Sequence, residues 1–333
     1  MFAPLTVLNL GYTQSTTFCG TVKEQHMDAI KRILAVIDPT KEQQHSLSRS
    51  IDLAKKSGAT ITAFLSIYDF SYEMTTMLSA DEREAMREAV IKDRQEWLNE
   101  QIALYPELTI DSCVVWHNRP YEAIINTVIN DGFDLVVKGT HQHDTLKSVI
   151  FTPTDWHLIR KCPAPVLLVK EKEWPAKGNI LAAVNAVSEN EQHLELNKRI
   201  IKDARFICDL ANATLNLVNA YPATPVNIAI EIPEFNPGVY NESVKKHHFE
   251  STLSLAEGFE IDQAHCHIEE GLPEDVIPDV AARLNSELVV IGTVGRTGLS
   301  AALVGNTAEH VIDSLDCDVL ALKPDGYVSP LAK

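Results

Sequence analysis

Asp134-Leu135-Val136-Val137-Lys138-Gly139-Thr140 and Glu287-Leu288-Val289-Val290-Ile291-Gly292-Thr293 carry one pattern twice: an acidic residue, a run of mostly branched apolar residues, then Gly-Thr. Such runs, apolar without alternation, are what a parallel strand covered on both faces requires. Upstream of each lies another short run, Arg32 to Asp38 and Asn179 to Asn185, followed by helical spacing at Leu47 to Ser57 and Leu196 to Asn212. Second strands are predicted at 59–67 and 213–219, ending near Tyr68 and Tyr221. Val114 to Pro120 then matches His267 to Pro273, and Cys162 to Val169 matches Cys317 to Leu322, with the two cysteines taken as equivalent. Strand and helix alternate throughout, which predicts α/β architecture: two tandem doubly wound parallel-sheet domains.

The repeat divides the 333 residues into an extension (1–26), a first domain (27–171), a linker (172–177), a second domain (178–327) and a tail (328–333). Met27, which leads directly into the first strand, is expected to be the true start. The linker is short and turn-rich, and should hold the halves together as an intramolecular pseudo-dimer. Tyr68 to Glu84 and Tyr221 to Val239 are long segments after the second strands. Four prolines (Pro222, Pro225, Pro233, Pro237) prevent continuous helix in the latter.

Lys+Arg 29 against Asp+Glu 46 gives a net charge of -17, which opposes direct nucleic-acid binding, a task that needs clustered cations. The asymmetry is marked: 16 basic and 21 acidic residues lie between Met27 and Glu171, but 12 and 24 from Lys172 onward. No stretch of 18 apolar residues exists to span a membrane, and a cytoplasmic protein is expected. Cysteines 19, 113, 162, 208, 266 and 317 form no C-x-x-C pair and read as reduced, mostly buried thiols.

Ligands of open parallel sheets settle beyond the carboxyl ends of the strands. Here Gly292-Thr293-Val294-Gly295-Arg296-Thr297-Gly298-Leu299 leads on to Gly305-Asn306-Thr307 and a helix. Glycines permit close backbone approach, and free N–H groups at a helix start attract an anion, so a phosphate could sit between Gly295 and Asn306. The spacing G-x2-G-x9-G resembles the ATP-binding signature of the universal stress proteins, and the likeness runs over nearly all of Met27 to Tyr327. Phrases such as Tyr68-Asp69-Phe70-Ser71-Tyr72-Glu73-Met74 and Phe151-Thr152-Pro153-Thr154-Asp155-Trp156-His157 resemble the tandem, E-type branch. That resemblance implies adenine nucleotide alpha hydrolase-like domains and a cytoplasmic stress-response role, including resistance to DNA-damaging and oxidative conditions.

It also implies a nucleotide site, ATP or AMP, in the second domain at Asn185, Gly292, Thr293, Gly295, Arg296, Gly305, Asn306 and Thr307. The chain departs from the pattern twice, with Asn185 where relatives carry Asp and Asn306 where they carry Ser or Thr. The first half keeps Asp38 and Gly139 but replaces the later glycines with Ile150-Phe151-Thr152-Pro153, so no phosphate cradle is expected there. Family members dimerise through the last strand; in this chain that contact is expected between Pro165 to Lys170 and Val319 to Lys323, and a homodimer remains open.

His141 and His143 alternate, and family topology is taken to place His117 on the neighbouring strand. These three could hold zinc, with Asp144 or Asp69 as a fourth ligand. His265 and His267 read as a surface pair. No G-x-S-x-G, no Gly-Lys-Ser/Thr loop and no cysteine with a base partner is present. The sequence therefore points to a non-enzymatic stress protein that binds a small ligand. Its rivals are a weak ATPase or nucleotide switch in the second domain, and an interaction scaffold with a zinc or other site in the first.

Overall fold

The computed structural model describes residues 29–72, 78–142, 149–188, 190–223, 236–293 and 306–332. The first half builds β1 (Arg32–Val36), α1 (His45–Ser57), β2 (Thr60–Ile67), α2 (Ala80–Ile102), β3 (Ile110–Trp116), α3 (Pro120–Asp131), β4 (Leu135–Gly139), a hairpin β5 (His141–Gln142) and β6 (Val149–Ile150), α4 (Pro153–Lys161) and β7 (Val166–Val169). The second builds β8 (Asn179–Ala183), α5 (Glu191–Ala211), β9 (Thr214–Tyr221), α6 (Pro237–Glu257), β10 (Cys266–Glu270), α7 (Pro273–Arg283), β11 (Ser286–Gly292), α8 (Asn306–Ser314) and β12 (Asp318–Leu322).

Among the described residues the long strands form one sheet in the order β10-β9-β8-β11-β12-β7-β4-β1-β2-β3. Within this sheet each half thus repeats one internal order, with every pairing inside a half parallel. The halves join by the antiparallel pairing of β7 with β12. Register makes Leu135 equivalent to Leu288, and Val166 to Val319, an offset of 153. Leu167 pairs with its own counterpart Leu320, so a local two-fold axis passes between them, as at an isologous dimer interface. The expected edge-strand contact is therefore present inside the chain.

The core lies on both faces of this sheet. Ile33 and Ala35 face α1, Leu34 and Val36 face α3 and α4, and α5 and α7–α8 cover the corresponding faces of the second half. All eight of β1 and β4's residues between Ile33 and Val36 and between Leu135 and Lys138 are buried, the two-faced burial that the unbroken apolar runs anticipate. Local signals set the ends. α1 stops at Gly58 (φ 75) and α5 at Asn212 (φ 54), each in the left-handed conformation that glycine and asparagine tolerate best. Ser79 and Glu82 form a capping box that starts α2. The long segment from Tyr68 to Glu84 is accordingly helical from Ala80 onward.

The same register corrects one sequence pairing. Cys317 is equivalent to Ala164, not to Cys162, whose counterpart is Leu315. Both thiols are buried, and burial pushes each up to about 12, a state that suits packing and not nucleophilic chemistry. The extension 1–26 lies outside the described residues.

Candidate ligand crevices

Sheet order reverses between β1 and β4 and again between β8 and β11, and beyond the carboxyl ends of these strand pairs the backbone parts to leave a crevice in each half. The second crevice has a volume of about 510 Å³. Asn185, at the end of β8, Gly292, at the end of β11, and Thr307, in the first turn of α8, meet on its wall. Three of the eight residues expected at a nucleotide site are thus brought together. Thr293 is not among them: it is buried, and its hydroxyl donates to the Leu322 carbonyl at 3.0 Å, so it locks β11 to β12. Gly295, Arg296 and Gly305 lie outside the described residues, as does the Asn306 side chain.

Leu196, Ile200, Ile277, Ile291 and Val311 make the walls of this crevice apolar. Polar groups enter at its rim. The Asn197 amide clamps the strand end, accepting from the Asn185 N–H at 3.0 Å and donating to the Asn185 carbonyl at 2.7 Å, which leaves the Asn185 side chain exposed. His193 lies 3.1 Å from the Ser188 hydroxyl, and His248 reaches in from α6 with Nδ1 2.8 Å from the Asn219 amide. Burial, reinforced by His247, holds His248 below the usual histidine range and favours its neutral ring. Neither histidine was singled out from the sequence, since their approach depends on how α5 and α6 pack.

Gly292 has a packing reason of its own. A Cβ there would fall 2.6 Å from Leu196 Cδ2 and 3.2 Å from Ile200 Cδ1, so α5 crosses the strand end at a distance only glycine allows. Gly292→Ala is expected to cost about 1–3 kcal/mol through overpacking, read as a lower urea midpoint at unchanged slope.

The first crevice, about 440 Å³, persists although the later glycines are gone. Its chemistry is different. Lys138 Nζ lies 2.7 Å from the fully buried Asp155 Oδ1 and donates to the Gly139 carbonyl at 3.0 Å. The offset of 153 places Ile291 and Ala308 where the first half has Lys138 and Asp155, so an ion pair replaces two apolar side chains. Asp38 turns inward on its own loop, with Oδ1 accepting from the Thr40 N–H and hydroxyl at 3.0 and 2.7 Å. A lysine within an apolar strand and an acid at the third position of a helix were the available signals.

The expected zinc set is not assembled by the strand order. β3, which ends before His117, is the outer strand of its half, separated from β4 by β1 and β2, about 14 Å at ordinary strand spacing. His117 Nδ1 accepts from the Arg119 N–H at 3.0 Å, and Asp69 Oδ1 is taken by the N–H and hydroxyl of Ser71. The hydrogen bonds from Ser71 hold Asp69 below the usual carboxylate range. His143, Asp144 and the His141 side chain lie outside the described residues, and among those described no group of three His, Cys, Asp or Glu is placed to hold a metal. His265 and His267 are half-buried about Asn216 Oδ1, at 3.1 and 3.5 Å, and are not a free surface pair.

Sequence comparison agrees with this geometry. The profile of the Universal stress protein family matches residues 29–170 and again 180–323. The chain belongs to the universal stress protein family. It is 53% identical over 308 residues to Universal stress protein E of Salmonella typhi, covering 92% of this chain and 98% of that protein. It is 43% identical to a Universal stress protein E homolog of Haemophilus influenzae, covering 88% and 97%. A crystal structure of a functionally unknown protein from Pseudomonas aeruginosa PAO1 superposes with a TM-score of 0.69 at 31% identity, covering 91% of this chain and 96% of that one. The present chain carries two domains of this family in tandem, on a mixed α/β fold. Among the described residues no helix is long and apolar enough to cross a membrane.

Proposed function

We propose that this stress-response protein works in the cytoplasm by binding a small ligand, an adenine nucleotide such as ATP or AMP, in its second crevice, without catalysing a reaction of its own. The observation that carries this is the convergence of Asn185, Gly292 and Thr307 on one apolar-walled crevice at the strand ends. Walls of Leu196, Ile200, Ile277 and Val311 suit a flat ring, while the first turn of α8 offers unsatisfied N–H groups to a phosphate. The first crevice takes another role, because its buried Lys138–Asp155 pair occupies the place of the apolar wall. Resistance to DNA-damaging and oxidative stress would follow from what ligand occupancy does to the shared sheet and its partners.

Calorimetric titration of the full chain with ATP and with AMP tests the proposal. One site per chain is expected, together with no phosphate release above the protein-free rate. Absence of heat with either nucleotide from a normally folded chain would contradict it.

A further inference from the structure

The second crevice has two ends. Gly292 and Thr307 stand at one, beyond β11, and His248 stands at the other beside Ala220 and Pro222, where β9 ends. β8 lies between β9 and β11, so these ends are about 10 Å apart at ordinary strand spacing. Resting on the nucleotide reading above, we propose that His248 is a specificity-determining residue of this crevice, whose Nε2–H donates to a ring nitrogen of the nucleobase.

The position of the imidazole proton follows from Asn219, a fully buried residue of β9. One atom of its side-chain amide lies 2.9 Å from the Ala186 backbone nitrogen, which can only donate, so that atom is the oxygen. The other is then the nitrogen, and it donates to His248 Nδ1 at 2.8 Å and to the Ala220 carbonyl at 3.3 Å. The reverse placement would set nitrogen against nitrogen at Ala186 and oxygen against oxygen at Ala220, in return for one 3.3 Å bond to the Val184 carbonyl. With Nδ1 accepting, the neutral ring carries its proton on Nε2.

Nε2 itself is not sealed away, and no partner for it stands among the described residues. Tyr221 backs the imidazole, with ring centroids 5.6 Å apart. The crevice therefore presents one donor of fixed identity at the end remote from α8. A nucleotide whose phosphate takes the start of α8 brings its base to that end, and the three unsubstituted ring nitrogens of adenine are acceptors. The first half lacks the device, because register makes the buried Leu65 the counterpart of Asn219.

Nitrogen NMR of the free chain at neutral pH is expected to show His248 with a bare Nδ1 and a protonated Nε2, and both tautomers in Asn219→Leu. In calorimetry, His248→Phe should bind ATP about fivefold more weakly than the parent, the effect of one neutral hydrogen bond. His248→Gln, whose amide nitrogen reaches the position of Nε2, should recover most of that loss. Of the three ATP analogues that each replace one of those ring nitrogens by C–H, one should bind the parent about fivefold more weakly than ATP and lose nothing further on His248→Phe. The inference is overturned if Nδ1 carries the proton, if a folded His248→Phe binds ATP as the parent does, or if no analogue binds the parent more weakly than ATP. In each of those cases ATP binding by the parent leaves the nucleotide reading intact, whereas a parent that binds no ATP overturns both.

Discussion

Replacing Lys138 by isoleucine is expected to destabilise the protein by about 3–5 kcal/mol, and adding Asp155→Ala should recover all but about 1 kcal/mol of that loss. Asp155 is fully buried, with Lys138 Nζ 2.7 Å from its Oδ1. Its Oδ2 caps α4, accepting from the Thr152 N–H at 2.7 Å and the Thr152 hydroxyl at 2.8 Å. Removing the lysine strands a buried carboxylate, the costly half of breaking an ion pair. Removing both partners recreates what the second domain already has, Ile291 and Ala308, both buried. The residual loss is the missing helix cap. Urea denaturation of the two single variants and the double variant measures the coupling, and strict additivity would show that the pair is not energetically linked.

Asp318→Ala should have an effect of the same size, and it acts between the domains. Asp318 is 1% exposed and lies across the β7–β12 seam. Its Oδ1 accepts from the Lys170 N–H at 2.8 Å and its Oδ2 from the Trp174 indole N–H at 2.9 Å, while Arg49 Nε stands 3.2 Å from Oδ2. Arg49 in turn stacks on the Trp174 ring at 4.2 Å and donates to the Lys172 carbonyl at 2.7 Å, so one carboxylate gathers α1, the end of β7 and the linker. Alanine leaves the Arg49 charge buried without its counter-charge and the Lys170 and Trp174 donors without their acceptor, a loss of about 3–5 kcal/mol.

The pH dependence distinguishes charge from hydrogen bonding at this position. Burial pushes Asp318 up to about 6, against the opposing pull of Arg49. A carboxyl that binds its proton more tightly when folded than when unfolded contributes most below its unfolded value, and that contribution fades as pH rises through about 6. Asp318→Asn keeps an acceptor for Lys170 and cannot ionise, so stability measured from pH 4 to 7 should lose this decline. A variant whose profile matched the parent would place the titration elsewhere.

Much of the fold was legible because each buried strand carries its own signature. Val136-Val137 and Val289-Val290 needed no tertiary information to be read as strands covered on both faces, and the repeat doubled every such signal. The β7–β12 seam followed from the family resemblance. Strand order was less accessible, since it is set by crossover geometry and not by any one segment. The misplacement of His117 beside β4 came from there, when β1 and β2 in fact stand between them. The Cys162–Cys317 equivalence failed for a related reason: matching letters outweighed register, and register pairs Cys317 with Ala164.

At the crevices, glycines and hydroxyls were visible as motif positions, but what surrounds them was not. Lys138 and Asp155 are 17 residues apart and meet because α4 packs on β4, so the loss of glycines was noticed while the gain of an ion pair was not. His193 and His248 reach the second crevice from α5 and α6 by packing that no local pattern encodes. Gly292 was read for its freedom to approach a phosphate, and its nearest constraint is the Leu196 side chain.

Blocking each crevice in turn tests the central claim most directly. Thr307 and Thr154 are equivalent positions on the second and first crevice walls, and tyrosine at either fills its own crevice. Calorimetric titration with ATP should show binding lost in Thr307→Tyr and retained in Thr154→Tyr, with both variants folded by circular dichroism. Retention in Thr307→Tyr with loss in Thr154→Tyr would contradict the assignment of the ligand to the second domain.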